Sequence, residues 1–251
     1  MSEKIAVLIP VKSKPEYKNK FVLSDLYIYF CKSFFKYYSS VHSYTIYLGY
    51  QDDDELYSNK DEQENINRFM SIMKNTKVKM IPFNDYYKGN VVGVWNDLFQ
   101  LSSKEHDYFI QCGSDILFND SNFVNEAINK LKNNNGYGVV GLQDLGRLRF
   151  NPNDKLLTQS IVSKKHLYIF NFYYPPELTN WSSDDFMTEI YEPHNWVLRL
   201  RQGFYNMGGA PRYKIQKYHH ETKEMCLKKY GNNIQNFLNY EKFVNNNSDK
   251  I

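Results

Sequence analysis

Cysteine is scarce and odd in number: Cys31, Cys112 and Cys226 stand far apart in 251 residues. That argues against a disulfide framework and favours a reducing compartment. No stretch approaches the roughly 18 apolar residues of a membrane span. The N-terminus, MSEKIAVLIPVK, has no long apolar run before a cleavage site, as a signal peptide would. A soluble, cytoplasmic protein with no integral membrane segment is expected. Charge of one sign is also lacking. The net charge is only +3, and no basic stripe with interleaved stacking aromatics emerges, which argues against a nucleic-acid partner. P-loop, zinc-type Cys/His and GxSxG motifs do not occur. Gly/Ser- or Pro-rich linkers and internal repeats are missing too, so one continuous domain over residues 1–251 is expected.

What is present suits a packed core. Hydrophobic residues make up 42% and aromatics 17%, with 22 tyrosines that can line polar clefts as well as fill cores. IAVLIPV (5–11) is a continuous apolar run, the mark of a strand buried on both faces. Ser24 is placed to cap a helix in which Leu26, Tyr29, Phe30, Phe34 and Tyr37 recur at helical spacing. SYTIYLGY (43–50), KVKMIPF (77–83) and YFIQC (108–112) read as further strands. DEQENINRFMSIMKN (61–75) and NVVGVWNDLFQLSS (90–103) read as the helices between them. Strand and helix alternate at short intervals, so a parallel α/β sheet is predicted. The second half is less regular. It offers a helix at 123–134, a strand at 136–144, a strand leading into a short helix over 157–170, a helix near Asp184, and a loop at NMGGAPRY (206–213).

In open α/β sheets, ligands sit beyond the carboxyl ends of strands. Three polar clusters fall at such ends: Pro10-Val11-Lys12, Asp52-Asp53-Asp54 and Gly113-Ser114-Asp115. The last looks like an Asp-x-Asp metal motif whose first acid is missing. A hard dication takes oxygen ligands and shares them with substrate phosphates, so Asp115 could anchor one with few partners. Asp184-Asp185 follows Trp181 and a serine pair at a helix start. Adjacent carboxylates repel, so one pKa should rise toward the range of a general base; simple helix capping is the alternative use. His219-His220 is the one histidine pair. Lys88 and Asn96 could reach a diphosphate, ordinary surface positions being the alternative, while Trp95 reads as core.

Taken in order, over about residues 5–220, these stretches resemble the GT-A superfamily of glycosyltransferases, near its family 2 group. The resemblance rests on IAVLIPVK, the acidic loop, GNVVGVWNDLFQLSSKEHDYFIQCGSDILF and TQSIVSKKHLYIFNFYYPPELTNWSSDDF. It implies a single α/β, Rossmann-related domain, with a central, mostly parallel mixed sheet flanked by helices. A nucleotide-sugar half would cover about 1–118, and an acceptor half with the C-terminal tail about 119–251. The donor, a UDP-sugar by this resemblance, would meet Pro10, Val11, Lys12, Asp52, Asp53, Asp54, Lys88, Asn96, Gly113, Ser114 and Asp115. Asp115 and His219 would hold Mn²⁺ or Mg²⁺. Asp185, beside Asp184, matches the catalytic base of inverting members, and Trp181 falls on the side of a glycan, protein or small-molecule acceptor. Gly113 replaces an acid that usually meets ribose or metal, and Trp95 replaces an arginine. A GT-A-like module without catalysis and a sugar nucleotidyltransferase are the competing readings.

Overall fold

The N-terminal apolar run forms β1 (Lys4–Pro10), and its side chains alternate between two cores. Ile5, Val7 and Ile9 enter one cluster, whereas Ala6 and Leu8 enter the other. A strand covered on both faces has no solvent side, which is why its sequence does not alternate with polar residues. The computed structural model describes residues 2–84, 87–208 and 214–248.

β2 (Ser43–Gln51) and β3 (Thr76–Phe83) add in parallel on one side of β1, and β4 (Tyr108–Gln111) in parallel on the other. Beyond β4 the sheet turns mixed. β6 (Val139–Asp144) and β7 (Ser160–Ser163) pair antiparallel, and β8 (Val197–Asn206) runs parallel to β6. The short β5 (Ile116–Phe118) closes the far edge antiparallel to β8, giving the eight-stranded order β3-β2-β1-β4-β7-β6-β8-β5.

One face carries α1 (Lys32–Tyr37), α2 (Lys60–Met70) and α4 (Phe123–Asn133). The other carries α3 (Val91–Ser102), α6 (Lys165–Phe170), α7 (Ser183–Tyr191) and α8 (His219–Tyr230). The first predicted helix opens as a π-helical stretch, Leu26–Cys31, that runs straight into α1. Ser24 does cap it, its Oγ accepting from the Tyr27 amide at 3.3 Å. α2 ends at Met70, five residues before the predicted stop, and Asn75 turns into the left-handed region at φ 58° ahead of β3.

Sequence periodicity missed β5, β8, α5 (Leu145–Phe150), α8 and α9 (Asn233–Ser248). β5 and α5 are too short to show a period, while β8 hides a period-two pattern in VLRLRQ. Residues 209–213 of the expected loop lie outside the described residues. All three cysteines are buried thiols. Among the described residues, no helix is long and apolar enough to cross a membrane.

Candidate active site

The chain runs outward from β1 to β3 and then returns to β4 on the other side of β1. That reversal makes the carboxyl ends of β1 and β4 the topological switch point of the sheet. Two clefts open along this edge. The first, about 540 Å³, is walled by Pro10–Pro15, by Gly49–Gln51 at the end of β2, and by Tyr87–Gly89 before α3. The second, about 500 Å³, holds Asp115, Asp184, Asp185, His219 and His220. The first turns of α3 divide them, with Val91 and Val94 facing one cleft and Trp95 the other.

The predicted donor residues separate into three groups. Pro10, Val11, Lys12, Asp53 and Lys88 line the first cleft, and Lys88 Nζ stands 3.7 Å from Asp53. Asp54 also borders it, but its carboxylate is committed to the backbone. Oδ2 accepts from the Ser13 amide at 2.7 Å, and Oδ1 from the Leu56 and Tyr57 amides at 3.1 and 2.9 Å. It ties the loop after β1 to the loop after β2. Asp52, Asn96 and Ser114 form no part of either cleft wall. Asn96 is a backbone clamp instead: Oδ1 accepts from the Tyr173 and Tyr174 amides at 3.0 and 2.9 Å, and Nδ2 donates to Tyr174 O at 2.8 Å. Ser114 is buried under the turn.

Asp115 and Gly113 line the second cleft. A β-carbon on Gly113 would sit 2.6 Å from Asp115 Oδ1, and one on Gly208 would sit 2.1 Å from Oδ2. The carboxylate is thus wedged between two glycines. The turn is pinned by Gln159, whose Oε1 accepts from the Gly113 amide at 2.9 Å. Trp95, expected in the core, packs against it half-buried and also stands in the cleft wall. Its Nε1 is shielded from water, with no hydrogen-bond partner among the described residues.

Ser182 precedes α7 with φ 64°, and Tyr218 precedes α8 with φ 59°. Non-glycine residues in this left-handed region are uncommon and mark a site that the surroundings enforce. Both helix starts enter the cleft, and Ser182 Oγ bonds His219 Nδ1 at 2.8 Å. The His219 ring meets Trp181 edge-on at 5.6 Å and lies 4.1 Å from the His220 ring. Three other histidines are structural. His42 accepts from the Glu3 amide and bonds Asn125, and His106 bonds Thr45 and the Ser102 carbonyl. His166, pushed down to about 4 by burial, bonds Tyr191 and the Tyr173 carbonyl.

Asp184 is the perturbed acid. Burial, and then the charge of Asp185, raise its carboxyl to about 6; the Asp185 amide and Arg147 pull the other way. Arg147, from α5, lines the cleft and was not singled out in the sequence, because nothing in its spacing tied it to the acids. Among the described residues, no group of three His, Cys, Asp or Glu side chains converges as a metal-ligand set. Asp115 and His219 do share one cleft.

The sheet order and its switch point are those of the GT-A fold expected from the sequence. The solved structures say the same. Residues 1–349 of S. aureus TarS superpose with a TM-score of 0.52 at 14% identity, covering 81% of this chain and 60% of that one. The same fragment in complex with UDP gives 0.50 at 14% identity, covering 80% and 60%. A longer TarS structure gives 0.52 at 13% identity, covering 82% of this chain and 37% of that one. This chain therefore spans less than two thirds of the length of the TarS structures it matches. No protein-family model and no curated protein matches the sequence.

Proposed function

We propose that the chain is a glycosyltransferase that moves a sugar from a UDP-sugar, or a related nucleotide-diphospho-sugar, to an acceptor hydroxyl with inversion. One observation carries it: a switch-point cleft with Lys12 and Lys88 in its walls adjoins, across α3, a second cleft lined by Asp115, Asp184 and Asp185. The similarly folded TarS has been solved in complex with UDP, which supports a nucleotide donor, and the switch-point position of the first cleft makes it the place for that nucleotide in this reading.

In this reading the donor's diphosphate reaches past α3 and presents the anomeric carbon to the second cleft. Asp185 takes the acceptor hydroxyl proton as the oxygen attacks that carbon, and the carbon–diphosphate bond breaks on the opposite side. Asp184, with its raised pKa, sets the charge beside Asp185 and so the pH at which the pair becomes basic. Trp181, half-exposed at the rim, offers an aromatic face to the acceptor. A Mn²⁺ or Mg²⁺ ion would be held by Asp115 and His219, which line the same cleft, with phosphate and water supplying its remaining ligands. When bound, it would offset charge on the departing diphosphate.

Calorimetric titration with UDP, with and without Mn²⁺, alongside a transfer assay, tests the proposal. Wild type should bind UDP, and Asp185→Asn should keep that affinity while losing transfer. A flat response to every nucleoside diphosphate would sink the reading. UDP binding with no hydrolysis or transfer under any condition would leave a binding module in its place.

A further inference from the structure

A third pocket, about 200 Å³, lies between α5, the loop at 152–157 and β8. It shares Arg147 and Leu156 with the acid-lined cleft, so those two side chains stand in the wall of both. Pockets that enclose whole drug-sized ligands run from roughly 300 to 1,000 Å³. This one has room for a group, not for a nucleotide.

Its chemistry is set by two guanidiniums, Arg147 and Arg199. The two carboxylates in the wall are already committed. Asp144 caps α5, accepting from the Arg147 amide at 3.2 Å and from Thr158 Oγ1 at 3.3 Å. Asp154 accepts from Arg147 Nε at 2.7 Å and from the Leu156 amide at 3.0 Å. Arg147 spends only Nε on Asp154. Arg199 makes no hydrogen bond and no ion pair among the described residues. Partial burial holds its guanidinium below the ordinary value, offset only in part by the charges of Glu192 and Asp154.

Residue choice points the same way. The chain carries 25 lysines and six arginines, and four of the six, at 147, 149, 199 and 201, fall on α5 and β8. A guanidinium fork matches the paired oxygens of phosphate or carboxylate, which a lysine ammonium does not. Residues 199 and 201 share one face of β8, the face on which α5 packs: a β-carbon on Gly203 would lie 2.6 Å from Leu145 Cγ.

We propose that this pocket binds an anionic group, a phosphate or carboxylate, carried by the acceptor, with Arg199 and the free edge of Arg147 as its ligands. The assignment to the acceptor rests on the transferase reading above, because Arg147 and Leu156 put the pocket against the acid-lined cleft, on the far side of α3 from the first. The acceptor would then be a charged saccharide or a related anionic hydroxyl compound, oriented by its anion so that the hydroxyl faces Asp185.

The test is calorimetric titration of the full chain, held at saturating UDP to block the first cleft, with glucose 1-phosphate, glucuronate and glucose. One or both anions should bind and glucose should not; which anion binds tells phosphate from carboxylate. Arg199→Met should weaken anion binding about tenfold or more, the worth of one charged hydrogen bond. Arg199→Lys should recover part of that loss, and Arg201→Met, outside the pocket, should leave binding unchanged. Equal affinity in wild type and Arg199→Met, equal loss in Arg201→Met, or no anion binding at all would overturn the proposal. In each of those cases normal UDP affinity would leave the transferase reading standing. Arg199-dependent anion binding in a protein that ignores UDP would uphold the anion pocket and remove its assignment to an acceptor.

Discussion

At the scale of single residues, the wedge around Asp115 explains the missing acid of the strand-end motif. An acid at 113 would need a β-carbon where Asp115 Oδ1 already lies, so the glycine and the carboxylate's placement go together. Because the obstructed atom is the end of a rotatable side chain, Gly113→Ala should move the carboxylate with little effect on the fold. Melting temperature should stay within a few degrees, while transfer activity falls; unchanged activity would remove Asp115 from the site. Asp184 makes a signed pH prediction. Its folded carboxyl sits at about 6 against a usual 3.8, so the folded state binds the proton more tightly than the unfolded chain. Stability from this group is therefore present at low pH and lost as pH rises through about 6, by roughly 3 kcal/mol. Asp184→Asn should melt higher than wild type near neutrality, with the gap closing toward about pH 4. Asn96→Ala removes three hydrogen bonds to residues 173 and 174. It should cost roughly 2–3 kcal/mol in denaturant melts with UDP affinity unaltered, separating a clamp from a phosphate ligand.

At the scale of elements, the N-terminal turns of α3 decide the geometry of both clefts, and Gly49 decides how close α3 comes to β2. A β-carbon there would meet Val94 Cγ1 at 2.6 Å, Phe83 at 3.0 Å and Leu98 at 3.2 Å. These are packed side chains in a full core, so overpacking of about 1–3 kcal/mol is expected. Gly49→Ala should lower the urea midpoint and weaken UDP binding together, because the wall of the first cleft shifts with the helix. Loss of stability with intact binding would show that the core absorbs the change behind the cleft. The starts of α7 and α8 work differently. Each follows a left-handed residue, Ser182 or Tyr218, which turns the helix N-terminus into the cleft, so that His219 and His220 line it together with Asp184 and Asp185. Carboxylates at the start of α7 also sit where the helix dipole favours negative charge.

At the scale of the whole molecule, one sheet separates two cores, and the clefts run along its carboxyl edge without interrupting either core. Donor binding should therefore stabilise the chain by mass action without refolding it. At a UDP concentration about one hundredfold above Kd the gain is roughly 2.7 kcal/mol, and the melting temperature should rise by about 5–10 °C. Absence of a thermal shift at saturating UDP would contradict the assignment of the first cleft.

The parallel first half was legible in the sequence because strands buried on both faces must be continuously apolar, as in IAVLIPV, and because the intervening helices carry their own amphipathic period. The acids at 115, 184 and 185 were legible for a related reason: a polar residue directly after an apolar strand or at a helix start stands out locally. Tertiary structure alone decided which of those acids share a cleft, since residues 115, 184 and 219 meet only once β4, α7 and α8 are stacked on one sheet. It also withdrew Asn96 to a backbone clamp, set Asp54 to tying two loops, and gave Trp95, which packs against the core as expected, a second place on the cleft wall. Arg147 and Arg199 were out of reach of the sequence. Their partnership depends on α5 lying across β8, a contact between elements too short or too weakly patterned to announce themselves.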